Sequence, residues 1–160
     1  MTRFLVTTTL LLAAVATMAA PAQDASNPDR ESLLRLHANV IRAHLESDVE
    51  RLLADEADTY YVVSGRGEIT WPTLAERRAR LGAYLGRTRF DTYRDEVEPV
   101  VTISDDGTLG WVVVQIEARG TQKSDAGPDE PVQFVSSWIE LYQKRDGRWQ
   151  RVGNVSNFKP

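Results

Sequence analysis

The chain of 160 residues contains no cysteine and only two histidines. Without cysteine it cannot form disulfides, thiolate metal sites, a cysteine nucleophile or a lipid anchor through sulfur. It also lacks a Gly-x-Ser-x-Gly elbow, a phosphate-binding P-loop and a dinucleotide fingerprint. The sequence therefore gives no support for nucleophilic hydrolysis or nucleotide chemistry, and we predict no cofactor.

Basic residues are fewer than acidic residues. The chain has 19 Lys and Arg residues against 23 Asp and Glu, which gives a formal net charge of -4 and a pI near 5.2. Such a field does not favour a nucleic-acid backbone or an anionic membrane surface. With 42% hydrophobic residues, the composition is typical of one ordinary globular domain, and we expect no nucleic-acid partner.

The N-terminal segment has the pattern of a signal peptide. Arg3 precedes an uncharged run over residues 4–20, and Ala20-Pro21-Ala22 has the small residues of a cleavage site. The alternative is a retained membrane anchor, but a span needs about 20 strongly apolar residues and this run contains four Thr. We therefore expect cleavage near Ala22/Gln23, no stable membrane anchor, and a secreted or periplasmic protein.

The mature part, residues 23–160, is predicted to be a single domain that begins with helices. Cap and periodicity signals predict helices from Pro28 to about Glu46, from Ser47 through about residue 54, and over 73–85. The third helix contains Arg77, Arg78 and Arg80. Anion binding is one interpretation of these arginines, but their pattern favours a solvated helix face.

Strands follow the helices. Period-two patterns predict a hairpin from 59–64 to 68–70, a strand near 90–104, and a meander over 109–120, 132–143 and 149–158. Helices followed by a long antiparallel sheet predict an α+β fold with the helices on one face of the sheet. Because both faces of the strands are substantially apolar, we expect the second face to meet a partner, such as another copy of the chain.

One set of residues in the strands suits a ligand pocket. It combines Trp with Gln, Glu, Ser and Asn, and small-molecule sites are apolar with a few directional polar groups. Cross-strand packing of Trp111 and Trp138 is the alternative interpretation. The predicted ligand-binding residues are Tyr60, Tyr61, Trp71, Trp111, Gln115, Ser136, Trp138, Asn154 and Phe158.

The two histidines, His37 and His44, lie on the apolar stripe of the first helix. Seven residues separate them, about 10.5 Å along the axis, so they cannot readily share a metal ion and we predict no metal site. Either could act as a general acid or base with a carboxylate such as Glu117. His37 is the first candidate, and binding should then change near pH 6 to 7; a hydrogen-bonded core histidine is the alternative.

Two segments carry a family resemblance: Leu52-Leu53-Ala54-Asp55-Glu56-Ala57-Asp58, and Asp146-Gly147-Arg148-Trp149 at the turn into the last strand. With the order of elements over 28–158, the chain resembles the nuclear transport factor 2-like (NTF2-like) superfamily, also called SnoaL-like or ketosteroid-isomerase-like. It is most similar to exported domains of the DUF4440 type. The resemblance implies a cone-shaped α+β barrel, also called cystatin-like, whose curved antiparallel sheet wraps the N-terminal helices around a pocket. It also implies a homodimer through the outer sheet face.

The superfamily includes several kinds of enzyme and non-catalytic binding modules, so the fold leaves the function open. Tyr61 stands where the resemblance would put the catalytic Asp of the steroid isomerases. We expect a domain that binds a small, partly apolar molecule in its cone pocket. The alternatives are an acid–base isomerase or lyase that uses a pocket His with Glu117 or Tyr61, and a structural accessory domain with a filled cone.

Overall fold

A computed structural model describes residues 27–64 and 67–157; the predicted signal peptide over 1–22 and Phe158 lie outside the described residues. The helices are α1 (Pro28–Glu46), α2 (Val49–Leu53) and α3 (Leu74–Arg87). The strands are β1 (Glu56–Val63), β2 (Ile69–Thr70), β3 (Thr88–Asp95), β4 (Val100–Ile103), β5 (Leu109–Gln122), β6 (Glu130–Arg145) and β7 (Arg148–Asn157). In the described ranges, no helix is long and apolar enough to cross a membrane.

Helix α1 begins and ends where the sequence predicts. Asn27 Oδ1 accepts a hydrogen bond of 2.9 Å from the backbone N–H of Asp29, and Pro28 occupies the first helical position. The helix ends at Glu46 because Ser47 adopts the left-handed conformation, with φ of 54°. Local capping chemistry is therefore sufficient to set both ends of this helix.

All seven strands form one curved sheet in the order β2-β1-β7-β6-β5-β3, with β4 also pairing with β5. Strands β5, β6 and β7 form the predicted antiparallel meander. Strand β1 lies parallel to β7, so the predicted antiparallel sheet contains one parallel pair. After β1 and β2, α3 leads the chain to β3 at the opposite edge of the sheet. Strands β5, β6 and β7 then lead back across the sheet, so that β7 pairs with β1.

The region predicted as one strand near 90–104 contains two strands, β3 and β4. Residues 96–99 leave the ladder between them, and Pro99 in this interruption has no N–H to donate to a neighbouring strand. Helix α3 also differs from its prediction, because it continues to Arg87 instead of ending before Gly86.

The inner face of the sheet carries the core. Val112, Val114 and Ile116 of β5 are at most 2% exposed, and α1 packs against this face. The approach of α1 is close at Gly110, where an added Cβ would lie 2.7 Å from Leu33 Cδ1. The helices therefore cover one face of the sheet, as predicted, and leave the other face outside.

The start of α1 is tied to the β6–β7 hairpin. Asp29 Oδ1 accepts hydrogen bonds from Lys144 Nζ at 2.6 Å and from Trp149 Nε1 at 2.8 Å. The predicted turn at Asp146-Gly147 has φ of 49° and 76°, as a tight hairpin turn requires. The Trp of the Asp-Gly-Arg-Trp motif thus fixes the first turn of α1 on the sheet.

Candidate functional site

A cavity of about 380 Å³ opens between the three helices and the inner face of β6 and β7. This volume lies in the range of about 300–1,000 Å³ that is typical of small-molecule sites. Its apolar wall includes Val40, Leu52, Leu81, Tyr93, Phe134 and Trp138. Its polar wall includes His44, Glu56, Arg77, Arg80, Arg151 and Asn154.

Buried charges on three elements meet in the cavity wall. Glu56 at the start of β1 divides its carboxylate between Arg151 Nη2 on β7, at 2.9 Å, and Arg77 Nε on α3, at 2.8 Å. The second contact is an ion pair without hydrogen-bond alignment. Burial opposes the charge of Arg151, but nearby Tyr60 and Glu56 raise the pKa of its guanidinium above the ordinary value.

Arg77 is held in place by backbone as well as by Glu56. The capping box of Thr73 and Glu76 starts α3, so that Arg77 enters the interior one turn later. Its Nη1 and Nη2 groups donate to the carbonyls of Pro72 and Ala57, at 2.8 and 3.0 Å. Its side chain is 1% exposed, which makes it a fixed cation in the cavity wall.

His44 contributes a neutral imidazole to the cavity. Its Nδ1 donates a hydrogen bond of 2.8 Å to the carbonyl of Val40, so the lone pair lies on Nε2. No residue in the described ranges bonds to that Nε2. Burial lowers the pKa of His44 to about 4. The ring stacks on Tyr93, with centroids 4.1 Å apart, so a neutral proton acceptor is rigidly held.

His37 has different surroundings from those expected. It is 2% exposed and does not line the cavity. Burial alone would lower the pKa of His37, but bonds to Glu140 at 3.1 Å and Asp95 at 2.9 Å outweigh this and raise it. Burial likewise opposes ionisation of Glu140, yet His37 and nearby Arg151 lower the pKa of that carboxyl to about 2. His37 is therefore a buried core group whose charged form is favoured by two carboxylates.

The phenols of the cavity wall are neutral. Burial raises the pKa of Tyr60 and of Tyr84 to about 12 in each case. The guanidinium carbon of Arg77 lies 5.0 Å from the centroid of the Tyr60 ring, within the range of a cation–π contact.

Two polar atoms on β7 are buried at the cavity without a hydrogen-bond partner: Arg151 Nε and Asn154 Oδ1. The Arg151 side chain is 8% exposed, so solvent does not compensate its free N–H. Buried polar groups in proteins are nearly always hydrogen-bonded, and an exception needs an explanation.

The structure brings five of the predicted site residues together at the cavity: His44, Tyr60, Ser136, Trp138 and Asn154. Phe158 lies outside the described residues, and the remaining predicted site residues do not line the cavity. Tyr61 is on the opposite side of β1 against Gly153, where an added Cβ would lie 3.1 Å from its ring. Trp71 is 67% exposed, and neither residue lines the cavity.

The prediction that Trp111, Gln115 and Glu117 face the pocket is wrong. Val114, not Gln115, stands opposite Trp138 in the β5–β6 ladder, so the odd-numbered residues of β5 point to the outer face. Glu117 is held there by Arg94 and Arg119. Arg94 is the main cause of a lowered pKa at its carboxyl, and desolvation opposes it.

The prediction of a solvated face for the α3 arginines is correct at Arg78, which pairs with exposed Glu50. It is wrong at Arg77, which is buried, and Arg80 lines the cavity. Arg77 lies four and eight residues before Leu81 and Leu85, on the apolar stripe of α3. This spacing is the feature of the sequence from which the burial of Arg77 could have been predicted. Across the described residues, no cluster of three or more His, Asp or Glu side chains could hold a metal ion.

No protein-family model and no curated protein matches this chain. Solved structures do. An NTF2-like protein from Cytophaga hutchinsonii is 18% identical with a TM-score of 0.63, over 81% of this chain and 98% of that one. A protein from Novosphingobium aromaticivorans, provisionally named an aromatic ring hydroxylase, is 15% identical with a TM-score of 0.68, over 82% and 90%.

A protein from Shewanella frigidimarina, provisionally named a ketosteroid isomerase, is 16% identical with a TM-score of 0.59, over 81% and 97%. At these identities the similarity establishes the fold and not the activity. The element order and the curved sheet around the helices agree with it. The chain is therefore an α+β domain with the NTF2-like, or cystatin-like, fold.

Proposed function

We propose that the protein binds a small, partly apolar molecule in the cavity. The observation that carries the proposal is the combination of an aromatic wall with two buried polar atoms, Arg151 Nε and Asn154 Oδ1, that lack partners. A bound molecule would supply the missing hydrogen bonds while its apolar part covers the aromatic wall. An open cavity of about 380 Å³ counts against the alternative of a structural domain with a filled cone.

A thermal-shift screen of small ring compounds tests this proposal, because a ligand of the folded state raises the unfolding temperature by mass action. Ser136→Leu would fill part of the cavity, and we expect it to abolish the shift. Ser137→Leu, at the next position of β6 on the outer face, is the matched control and should keep it. No shift with any compound, or equal shifts in both variants, would contradict the proposal.

A second candidate function is acid–base catalysis, favoured by the free Nε2 of His44. At neutral pH this nitrogen is unprotonated and could take a proton from a carbon beside a carbonyl group. Cyclohexanone in D₂O is a simple probe: the wild-type protein should exchange the protons next to its carbonyl faster than His44→Gln does. Equal exchange rates by NMR would remove this candidate.

We also propose that two copies associate through the outer face of the sheet, here defined as Trp111, Val113, Val135, Ile139 and Leu141. Trp111 and Val113 are 36% and 38% exposed, and Val135 is 53% exposed. The register puts Trp111 beside Leu141 and Val113 beside Ile139. Contiguous apolar residues on the surface of a sheet are typical of an association site.

A further inference from the structure

The charges of the cavity wall are not balanced by the wall itself. Among the described residues, three guanidinium groups line it, those of Arg77, Arg80 and Arg151, and one carboxylate, that of Glu56. Glu56 is shared between Arg77 and Arg151. His44 adds no charge at neutral pH. The cavity therefore has a surplus of positive charge in a chain that is acidic overall.

The three arginines differ in how far the protein satisfies them. Arg77 has two backbone carbonyls and Glu56. Arg151 Nη2 donates to Leu52 and Glu56, but its Nε–H has no acceptor. Arg80 is exposed and has neither a hydrogen bond nor an ion pair in the part of the chain that the structure describes. Arg80 and Arg151 can therefore both interact with one ligand in the cavity.

The buried carboxylate behind the wall does not supply the acceptor that Arg151 Nε–H lacks. Glu140 acts on Arg151 through its charge, but its oxygens are already taken by His37, Trp138 and Tyr142. No protein carboxylate in the described ranges bonds to the Arg151 Nε–H. Because Arg151 lines the cavity, a molecule bound there can supply an acceptor for this donor.

We propose that the cavity takes a small carboxylic acid with an aromatic or alicyclic body. The carboxylate accepts a hydrogen bond from Arg151 Nε–H and is attracted by Arg80, and the ring packs on the aromatic wall formed by Tyr60, Phe134 and Trp138. One free N–H and one unpaired cation suit a singly charged carboxylate better than a phosphate, which needs more donors. This inference rests on the proposed function and specifies its ligand class.

Calorimetric titration of the protein with benzoate and benzamide at low salt tests the inference, because these probes share a ring and differ in charge. We expect benzoate to bind at least about ten-fold more tightly than benzamide, as a charge-assisted contact in a partly buried site allows. Arg80→Gln should weaken benzoate by about three- to ten-fold and leave benzamide unchanged. Arg78→Gln, on the same helix but paired with Glu50 on the surface, is the matched control and should change neither affinity.

A third variant tests the Arg151 contact. Arg151→Lys keeps the charge but removes the Nε–H, and it should reduce the preference for benzoate to the part that Arg80 supplies. Circular dichroism would verify that it folds, and the Arg80 pair tests the inference independently of this variant. If benzamide and benzoate bind equally, the inference is wrong while ligand binding stands. If neither probe nor any neutral ring compound raises the unfolding temperature, both proposals fail.

Discussion

His37 on α1 and Glu140 on β6 form a buried ion pair in which Nδ1 lies 3.1 Å from Oε1. The other ring nitrogen, Nε2, lies 2.9 Å from Asp95 Oδ1 at the end of β3. Glu140 also accepts hydrogen bonds from Trp138 Nε1 at 3.1 Å and from the Tyr142 hydroxyl at 2.7 Å. The imidazole of His37 therefore joins α1 to two strands. Trp138 connects the same Glu140 carboxylate to the cavity wall.

We predict that His37→Gln lowers the free energy of unfolding by about 3–5 kcal/mol, the usual cost of removing one partner of a buried ion pair. The folded pKa of His37 is raised above 6.5. Its stabilising contribution is therefore complete below the unfolded value and is lost as pH rises through the folded pKa. Urea unfolding at about pH 5.5 and about pH 9 should show the larger difference from wild type at the lower pH.

This prediction has a direct control in its pH dependence. If His37 were neutral in the folded protein at both pH values, only the unfolded chain would take up a proton at about pH 5.5, and the difference between the two proteins would be smaller there than at about pH 9. Such a result would contradict a charged His37 between Glu140 and Asp95. His37 would then be an ordinary hydrogen-bonded core histidine.

We predict the opposite pH behaviour for His44. Its folded pKa is about 4, whereas the ordinary value is 6.5. Between these two pH values His44 is therefore protonated in the unfolded chain and neutral in the folded chain. The wild-type protein should therefore lose about 3 kcal/mol of stability through this group as pH falls from about 6.5 to about 4. His44→Phe keeps a ring on Tyr93 and removes the titration, so its stability should fall less over this range. Parallel curves for the two proteins would refute the shifted pKa.

We predict that Glu56→Gln destabilises the fold by about 3–5 kcal/mol, because it leaves Arg77 and Arg151 buried without their shared anion. Glu50→Gln is the matched control, since Glu50 pairs with Arg78 on the surface and surface ion pairs contribute little. Urea unfolding at neutral pH compares the two variants. Equal destabilisation by Glu56→Gln and Glu50→Gln would mean that the ion pairs of Glu56 with Arg77 and Arg151 stabilise the fold no more than a surface ion pair does.

The features that the sequence predicted correctly depend on neighbours in the chain. The ends of α1 follow from Asn27 and Ser47, and the β6–β7 turn follows from Asp146-Gly147. The helical stripe of α1 also directs His37 inward. Its partners, Asp95 and Glu140, are 58 and 103 residues away, and no local pattern predicts such contacts.

The main error at the site was the prediction of which residues of β5 face the pocket. Its cause is the register between β5 and β6. Alternation separates Trp111 and Gln115 from Val112 and Val114, but it does not say which set shares a face with Trp138. The connection between β5 and β6 is long, so turn geometry does not fix their register. Only the pairing of Val114 with Trp138 decides it, because a shift of one residue would exchange the faces.

We predict that the mature protein begins at or near Gln23. The reason is the charge on Arg3, the uncharged run that follows it and the small residues of Ala20-Pro21-Ala22. Intact-mass analysis of protein expressed with its native leader tests this directly. Arg3 retained in a membrane fraction would contradict both cleavage and the absence of an anchor.

We predict that Val113→Asp converts a dimer to a monomer. Val113 lies at the centre of the outer face, beside Val100 on one side and Ile139 on the other. A carboxylate there would have to lose its water in the interface without a partner, which costs several kcal/mol. Light scattering at micromolar concentration should give twice the chain mass for the wild type and the single mass for the variant.

Ile69→Asp supplies the control for this experiment. Ile69 is 56% exposed, but it lies on β2 at the other edge of the sheet, so its replacement should leave the dimer intact. A wild-type protein that is monomeric at this concentration would refute the association. Loss of the dimer in both variants would show that the contact does not depend on the outer face, because a charge at a distant edge would then act as strongly as one at the centre of the apolar surface.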